Sequence, residues 1–126
     1  MKKVLATEKA PAAIGPYSQG ICAGGMVFVS GQLPIDPATG QFAGEDIASQ
    51  TRQSLTNIQN ILASEGLTMA DVVKTTVLLK HISDFGAMNE VYATFFEGAC
   101  PACAAFEVAA LPKDALVEIE AIACAK

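Results

Sequence analysis

Along residues 116–123 the chain reads as a half-buried strand. Val117, Ile119 and Ala121 alternate with Glu118, Glu120 and Ile122, and successive side chains of a strand point to opposite faces. One face is therefore apolar and the other carries two carboxylates. A carboxylate on a sheet face is costly unless it is solvated, paired or used, so function is expected near that face. A second strand-like run covers 104–109, and a Leu-Pro-Lys-Asp turn joins the two.

The rest of the chain is as legible by period. A short first strand is expected at 4–6. The loop at 9–16 holds two prolines and a glycine, which no helix sustains. Runs at 17–23 and 26–32 flank Gly24-Gly25, a hairpin signal. The second run puts Met26, Phe28 and Ser30 on one face and Val27 and Val29 on the other. It ends near Gly31, where a missing side chain lets a backbone or ligand approach closely. After a turn-rich loop over 34–44, Asp46 starts a helix. Its stripe of Ile47, Thr51, Leu55, Ile58, Leu62 and Glu65, widened by Ser54 and Ile61, steps by about 3.6 residues, and Gly66 is the expected stop. The β-branched run in 72–80 predicts a strand. Ser83 or Asp84 caps a second helix with Phe85, Met88, Tyr92 and Phe95 on its apolar face and Asn89 beside Phe85 and Tyr92. The order βββαβαββ predicts one α+β domain spanning 1–126, a mixed sheet with two helices on one face. The other face is bare in a monomer, which points to an oligomer.

Composition narrows the partners. The 126 residues are 52% hydrophobic and 17% charged, with a net charge of −5. An apolar excess in so small a chain is consistent with surface buried between subunits. Arg52 is the only arginine, so no phosphate-tracking surface is expected and nucleic acid is excluded as a first choice. No apolar run approaches the ~20 residues of a membrane helix. Glu8 and Lys9 interrupt the N-terminal apolar stretch, which makes a poor signal peptide. The expected compartment is the cytoplasm. There Cys22, Cys100, Cys103 and Cys124 are expected as free thiols. Cys100-Pro-Ala-Cys103 has the spacing of a redox motif but is followed by a strand rather than a helix. A zinc site needs all four thiols to converge. His81, the only histidine, has no evident partner.

Three segments together carry a resemblance: Ala10-Pro-Ala-Ala-Ile-Gly-Pro-Tyr-Ser-Gln19, Phe28-Val-Ser-Gly-Gln32 and Leu111-Pro-Lys-Asp-Ala-Leu-Val-Glu-Ile-Glu-Ala-Ile122. The chain resembles, over essentially its whole length, the Rid family of reactive intermediate deaminases, also called the YjgF family. The resemblance implies a chorismate-mutase-like fold and a homotrimer with a central barrel and ligand clefts between subunits. It implies hydrolysis of small 2-imino acids to 2-oxo acids and ammonia, with no metal or cofactor. By matching motifs, Tyr17 lines the cleft mouth, Ser30 and the Gly31 backbone meet the ligand's polar end, Asn89 reaches the site from its helix, and Glu118 activates water.

One position departs from the pattern. Deaminase members of the family carry Pro-Ala-Arg where this chain has Pro101-Ala102-Cys103. A guanidinium grips a carboxylate through two parallel bonds, and a thiol has no equivalent. Ala105 stands where the family has a reactive cysteine. The expected function is thus an imine deaminase weakened or altered at Cys103. The alternatives are a silent metabolite-binding or regulatory member and, less consistent with the charge, a ribonuclease. On structural grounds alone, Ser30 could serve only a backbone group, Tyr17 and Asn89 could be packing and capping residues, and Glu120 could pair across an oligomer.

Overall fold

The computed structural model describes residues 1–125. Strands β1 (Lys3–Leu5), β2 (Gly20–Ala23) and β3 (Met26–Gln32) precede helix α1 (Ile47–Ala63). Strand β4 (Val72–Leu79), helix α2 (Phe85–Ala93) and strands β5 (Ala102–Glu107) and β6 (Val117–Cys124) follow. The strands form one mixed sheet in the order β1-β2-β3-β6-β4-β5. Only β4 and β5 run parallel; the other neighbours are antiparallel. This is the α+β arrangement that the order of elements predicts.

The alternation of β6 sorts its side chains as expected. Val117, Ile119, Ala121 and Ala123 are buried. With Val27 and Val29 of β3 and Val77 and Leu79 of β4 they form the floor on which Leu55, Ile58, Ile61 and Leu62 of α1 pack. Trimming one such side chain to alanine costs ~2–5 kcal/mol. The other face is open. Phe28 and Phe106 stand 45% and 46% exposed beside Glu118, Glu120 and Ile122.

Helix α1 begins where its signals place it. Asp46 accepts the Ser49 N–H at 3.0 Å, satisfying one of the first-turn donors. At its end Gly66, with φ 75°, turns the chain so that the Leu67 N–H reaches the Leu62 carbonyl at 3.0 Å. Glu65 leaves the apolar stripe and pairs with Lys3 of β1 at 2.7 Å. Gln50 and Asn57, both buried, tie α1 to the loops around it. Gln50 donates to the Gly44 carbonyl and accepts the Leu116 N–H. Asn57 donates to the carbonyls of Leu33 and Ile35.

Several boundaries differ from the periodic expectation. Strand β1 lies one residue earlier, at Lys3–Leu5. Strand β2 starts at Gly20, not 17, because residues 17–19 belong to a loop held by its own hydrogen bonds. Strand β5 starts at Ala102 and stops at Glu107, with the ladder extended by the Val108 N–H to the Leu79 carbonyl at 2.9 Å. An alanine-rich edge strand has no alternation from which to set its start. Neither Ser83 nor Asp84 caps α2 with its side chain: a short 3-10 turn at Ile82–Asp84 leads directly into it. The buried face of α2 is Met88, Val91 and Tyr92, with Phe96 beyond its end, and Phe85 is exposed.

Candidate functional site

The residues singled out on the open face meet at a defect in the sheet. Between β3 and β6, Val29 pairs with Ala121 and Gln32 with Ile119. Three steps along β3 thus face two along β6, so Ser30 and Gly31 form a β-bulge. The extra residue swings the backbone toward the strand position that carries Glu118. A Cβ built on Gly31 would lie 2.6 Å from Glu118 Oε2 and 3.1 Å from its Cδ, so the carboxylate rests directly on the glycine. Close approach, rather than an unusual φ, is what requires glycine here.

Glu118 is half-buried, and burial pushes its carboxyl up from its ordinary value, with the neighbouring Glu120 charge adding to the shift. Both causes disfavour the charged form. Among the described residues no hydrogen-bond donor reaches this carboxylate. It is a half-desolvated, unpaired base, free to take a hydrogen bond from water or a ligand. Glu120 lies on the same face and is exposed.

Ser30 ties the bulge to the loop before β2. Its N–H donates to the Gln19 carbonyl at 2.9 Å, and its hydroxyl donates to the Ser18 carbonyl. The hydroxyl proton is thus committed to the backbone, and the oxygen keeps only acceptor capacity toward a ligand. Tyr17 is one residue before Ser18 and is 53% exposed. It borders a groove of about 630 Å³ that Val4, Ala10, Ala13 and Pro37 also line.

Asn89 and Cys103 lie elsewhere. Cys103 of β5 pairs in parallel register with Thr75 of β4. Thr75 is buried against the helices, its hydroxyl 2.7 Å from that of Tyr92 of α2. Ala105, two residues on from Cys103, packs against the core, and Glu107, two further on, accepts the Ile82 N–H just before α2 at 2.8 Å. Cys103 therefore shares the helix side of the sheet. Burial pushes the Tyr92 phenol up to about 12; the Thr75 hydrogen bond opposes the shift, and the nearby Cys103 thiol adds to it. Asn89 is exposed on α2, three residues before Tyr92. By contrast, Glu118 pairs with Leu78 and Leu78 with Phe106, so Glu118 is two strands away from β5 and on the opposite face. Two strand spacings are roughly 10 Å, too far for one small ligand to touch both groups within one chain.

The thiols are dispersed. Cys22 is on β2 and half-buried, Cys124 ends β6, Cys103 is exposed on β5 and Cys100 is exposed in the loop before it; all four are free. Among the described residues no three histidine, cysteine, aspartate or glutamate side chains converge as for a metal ion. His81 is exposed. None of the described helices is long and apolar enough to cross a membrane.

Two residues of consequence escaped the pattern of the sequence. Gln19 is a buried polar residue inside a loop, where periodicity gives no signal. Thr75 reads as one more β-branched strand residue, and only the register reveals it as the partner of Tyr92.

Known proteins resemble the chain over nearly its whole length. The family model described as Endoribonuclease L-PSP matches residues 7–125. A RutC family protein of Pyrococcus horikoshii is 56% identical, over 98% of each chain. A 2-iminobutanoate/2-iminopropanoate deaminase of Salmonella typhimurium is 52% identical, again over 98% of each chain. Among solved structures, a protein of the Rid family from Yersinia pestis superposes with a TM-score of 0.96 at 49% identity, over 98% of this chain and 99% of that one. A match of that length and identity leaves one assignment: the chain belongs to the Rid (YjgF) family.

Proposed function

We propose that this protein hydrolyses small reactive imines and enamines of 2-amino acids to 2-oxo acids and ammonia. The observation that carries this reading is the Glu118 carboxylate, unpaired, half-buried and seated on Gly31. The names of relatives about 50% identical to this chain, which are 2-iminobutanoate/2-iminopropanoate deaminases, support it.

The chemistry follows from the placement. Glu118 accepts a proton from water as the oxygen attacks the carbon of the protonated C=N bond. It returns that proton to the nitrogen of the resulting carbinolamine, and the C–N bond breaks as the freed Glu118 carboxylate takes the hydroxyl proton, which it then releases to solvent. Ammonia and a ketone are the products, and no oxidant or cofactor is consumed. A positioned base of raised pKa contributes typically 10²–10⁴-fold to such a step. In this reading the Gly31 backbone and the Ser30 oxygen meet the ligand's polar end, and Tyr17 borders the mouth.

Asn89 and Cys103 belong to the same site only if a neighbouring subunit supplies them. We read the assembly as a homotrimer in which the edge strand β5 and helix α2 of one subunit border the open face of the next, with the exposed Phe28 and Phe106 covered by neighbouring subunits. Mixing variants tests this arrangement. Glu118→Ala and Asn89→Ala subunits, each inactive alone, should regain roughly one quarter of the activity when refolded together in equal amounts, because a cleft uses one residue from each subunit. No recovery would place both residues in one chain's site or remove one of them from it.

A second reading has its own observation. Asn89, Tyr92 and Cys103 themselves offer a substrate carboxylate no cation. A cleft that binds a small metabolite without turnover, or one that turns over a substrate lacking a carboxylate, fits that feature. An RNA substrate does not fit, since the chain carries a net charge of −5 and a single arginine.

A further inference from the structure

We propose that Gln19 is the positioning residue that holds Tyr17 at the ligand cleft. This rests on the reading of Tyr17 as a cleft residue given above.

The chain leaves β1 and returns to β2 through a loop over 7–19 whose two ends are joined by one side chain. Gln19 is only 4% exposed. Its Oε1 accepts the Thr7 N–H at 2.7 Å. Its Nε2 is within bonding distance of the Pro11 carbonyl at 2.7 Å, the Thr7 carbonyl at 3.0 Å and the Ala10 carbonyl at 3.2 Å. An amide nitrogen has two protons for these three acceptors, so the three carbonyls share them. The side chain thus stands in for the missing strand partner of Thr7 and gathers the loop around itself, as in a compact surface loop with closed ends.

The backbone of the same residue faces the bulge. The Gln19 carbonyl accepts the Ser30 N–H at 2.9 Å, and the adjoining Ser18 carbonyl accepts the Ser30 hydroxyl. Gln19 therefore connects the start of the loop to the strand that carries Gly31, with Tyr17 two residues away. The Tyr17 ring has little packing of its own: it is 53% exposed. Its N–H is held within the loop by the Gly15 carbonyl at 2.9 Å. Asn60 adds a further side-chain tie from the body: its Nδ2 donates to the Lys9 carbonyl at 2.9 Å in an exposed position.

Without the Gln19 amide, loop carbonyls on the protein side lose their donors, an arrangement that costs more than a missing surface bond. The cheapest response is local opening of the loop, since surface loops lie at the low end of local stability. Ligand binding then has to order Tyr17 each time, which weakens binding, while the pairing of β3 with β6 on either side of the bulge keeps Gly31 under Glu118.

Two measurements test this. In Gln19→Leu, KM for 2-iminobutanoate should rise about tenfold with kcat within roughly threefold of the parent, the signature of lost ground-state binding. Asn60→Ala should change KM less than about twofold, because its bond is exposed. The second measurement needs no ligand. The chain has no tryptophan, so Tyr17→Trp adds a single reporter to the loop. Its fluorescence anisotropy should fall when Gln19→Leu is combined with it. Unchanged anisotropy, or a fall in kcat with KM unchanged, would overturn the proposal. Should Gln19→Leu not fold, Gln19→Glu keeps the acceptor for Thr7, removes the Nε2 donors and is read in the same two ways. If the parent protein releases no ammonia, the imine reading fails, and the anisotropy still decides whether Gln19 holds the loop.

Discussion

The Glu118 carboxylate sits on the Cα of Gly31, so close that a Cβ there would come within 2.6 Å of Oε2. Base and bulge are therefore one unit. Gly31→Ala should displace the carboxylate and lower kcat/KM for imine hydrolysis by at least about tenfold. Circular dichroism and the unfolding transition should change little, since Glu118 faces open sheet and has room to move. A Gly31→Ala variant with parental kinetics would show that the contact has no part in turnover.

Stability should carry the signature of Glu118 in its pH dependence. Its carboxyl is raised in the folded chain, so the folded state binds this proton more tightly than the unfolded state. Its contribution therefore falls as pH rises from the ordinary carboxylate value through the raised one, and the penalty is complete above both. Glu118→Gln should accordingly unfold at a higher denaturant concentration than the parent at neutral pH. That difference should close as pH drops below the ordinary carboxylate range. Denaturant titrations of the two proteins at matched pH values check the sign; a variant less stable at neutral pH would contradict it.

Tyr92 and Thr75 form a buried hydroxyl pair 2.7 Å apart at the point where α2 meets the sheet. Tyr92→Phe leaves the Thr75 hydroxyl without that partner and should cost ~1–3 kcal/mol. The double change with Thr75→Val should cost less than the two single changes summed. A double-variant cost equal to the sum of the two single costs would mean the pair is not coupled.

Much of this was legible from the chain. Strand β6 and helix α1 declare themselves because each buries one face, and burial imposes a period: Val117, Ile119 and Ala121 in one case, Leu55, Ile58 and Leu62 in the other. Where burial imposes no period, boundaries are not legible. The Ala-rich β5 is an exposed edge, and it starts two residues before the expected position. Phe85 looked like core by spacing, but it opens α2 directly after a 3-10 turn and remains outside. Gly31 announced a close approach; what approaches it is Glu118, and only strand register shows that. Register also put Cys103 on the helix side, opposite to Glu118, which no count of residues between cysteines could reveal. Gln19 lay inside a motif, but its four side-chain hydrogen bonds depend on a loop conformation that no period encodes.

Cys103 supplies the test of ligand choice. If the cleft between subunits receives a 2-imino acid, a guanidinium at this position can pair with the ligand carboxylate. Cys103→Arg should then raise kcat/KM for 2-iminobutanoate, by about thirtyfold or more if the pair is as strong as other desolvated ion pairs. Competition assays with 2-oxobutanoate check the binding side, and its apparent affinity should rise in parallel. No gain in either would mean that residue 103 does not face the carboxylate.

The most direct measurement is ammonia release from 2-iminobutanoate, generated in place by a dehydratase, with the protein as it stands beside Glu118→Ala. Faster release with the parent protein than in its absence, lost by at least about a hundredfold in the variant, is the predicted result. Equal rates with parent and variant would remove Glu118 from the chemistry. No acceleration by the parent would mean that this chain keeps the fold without performing the reaction on that substrate.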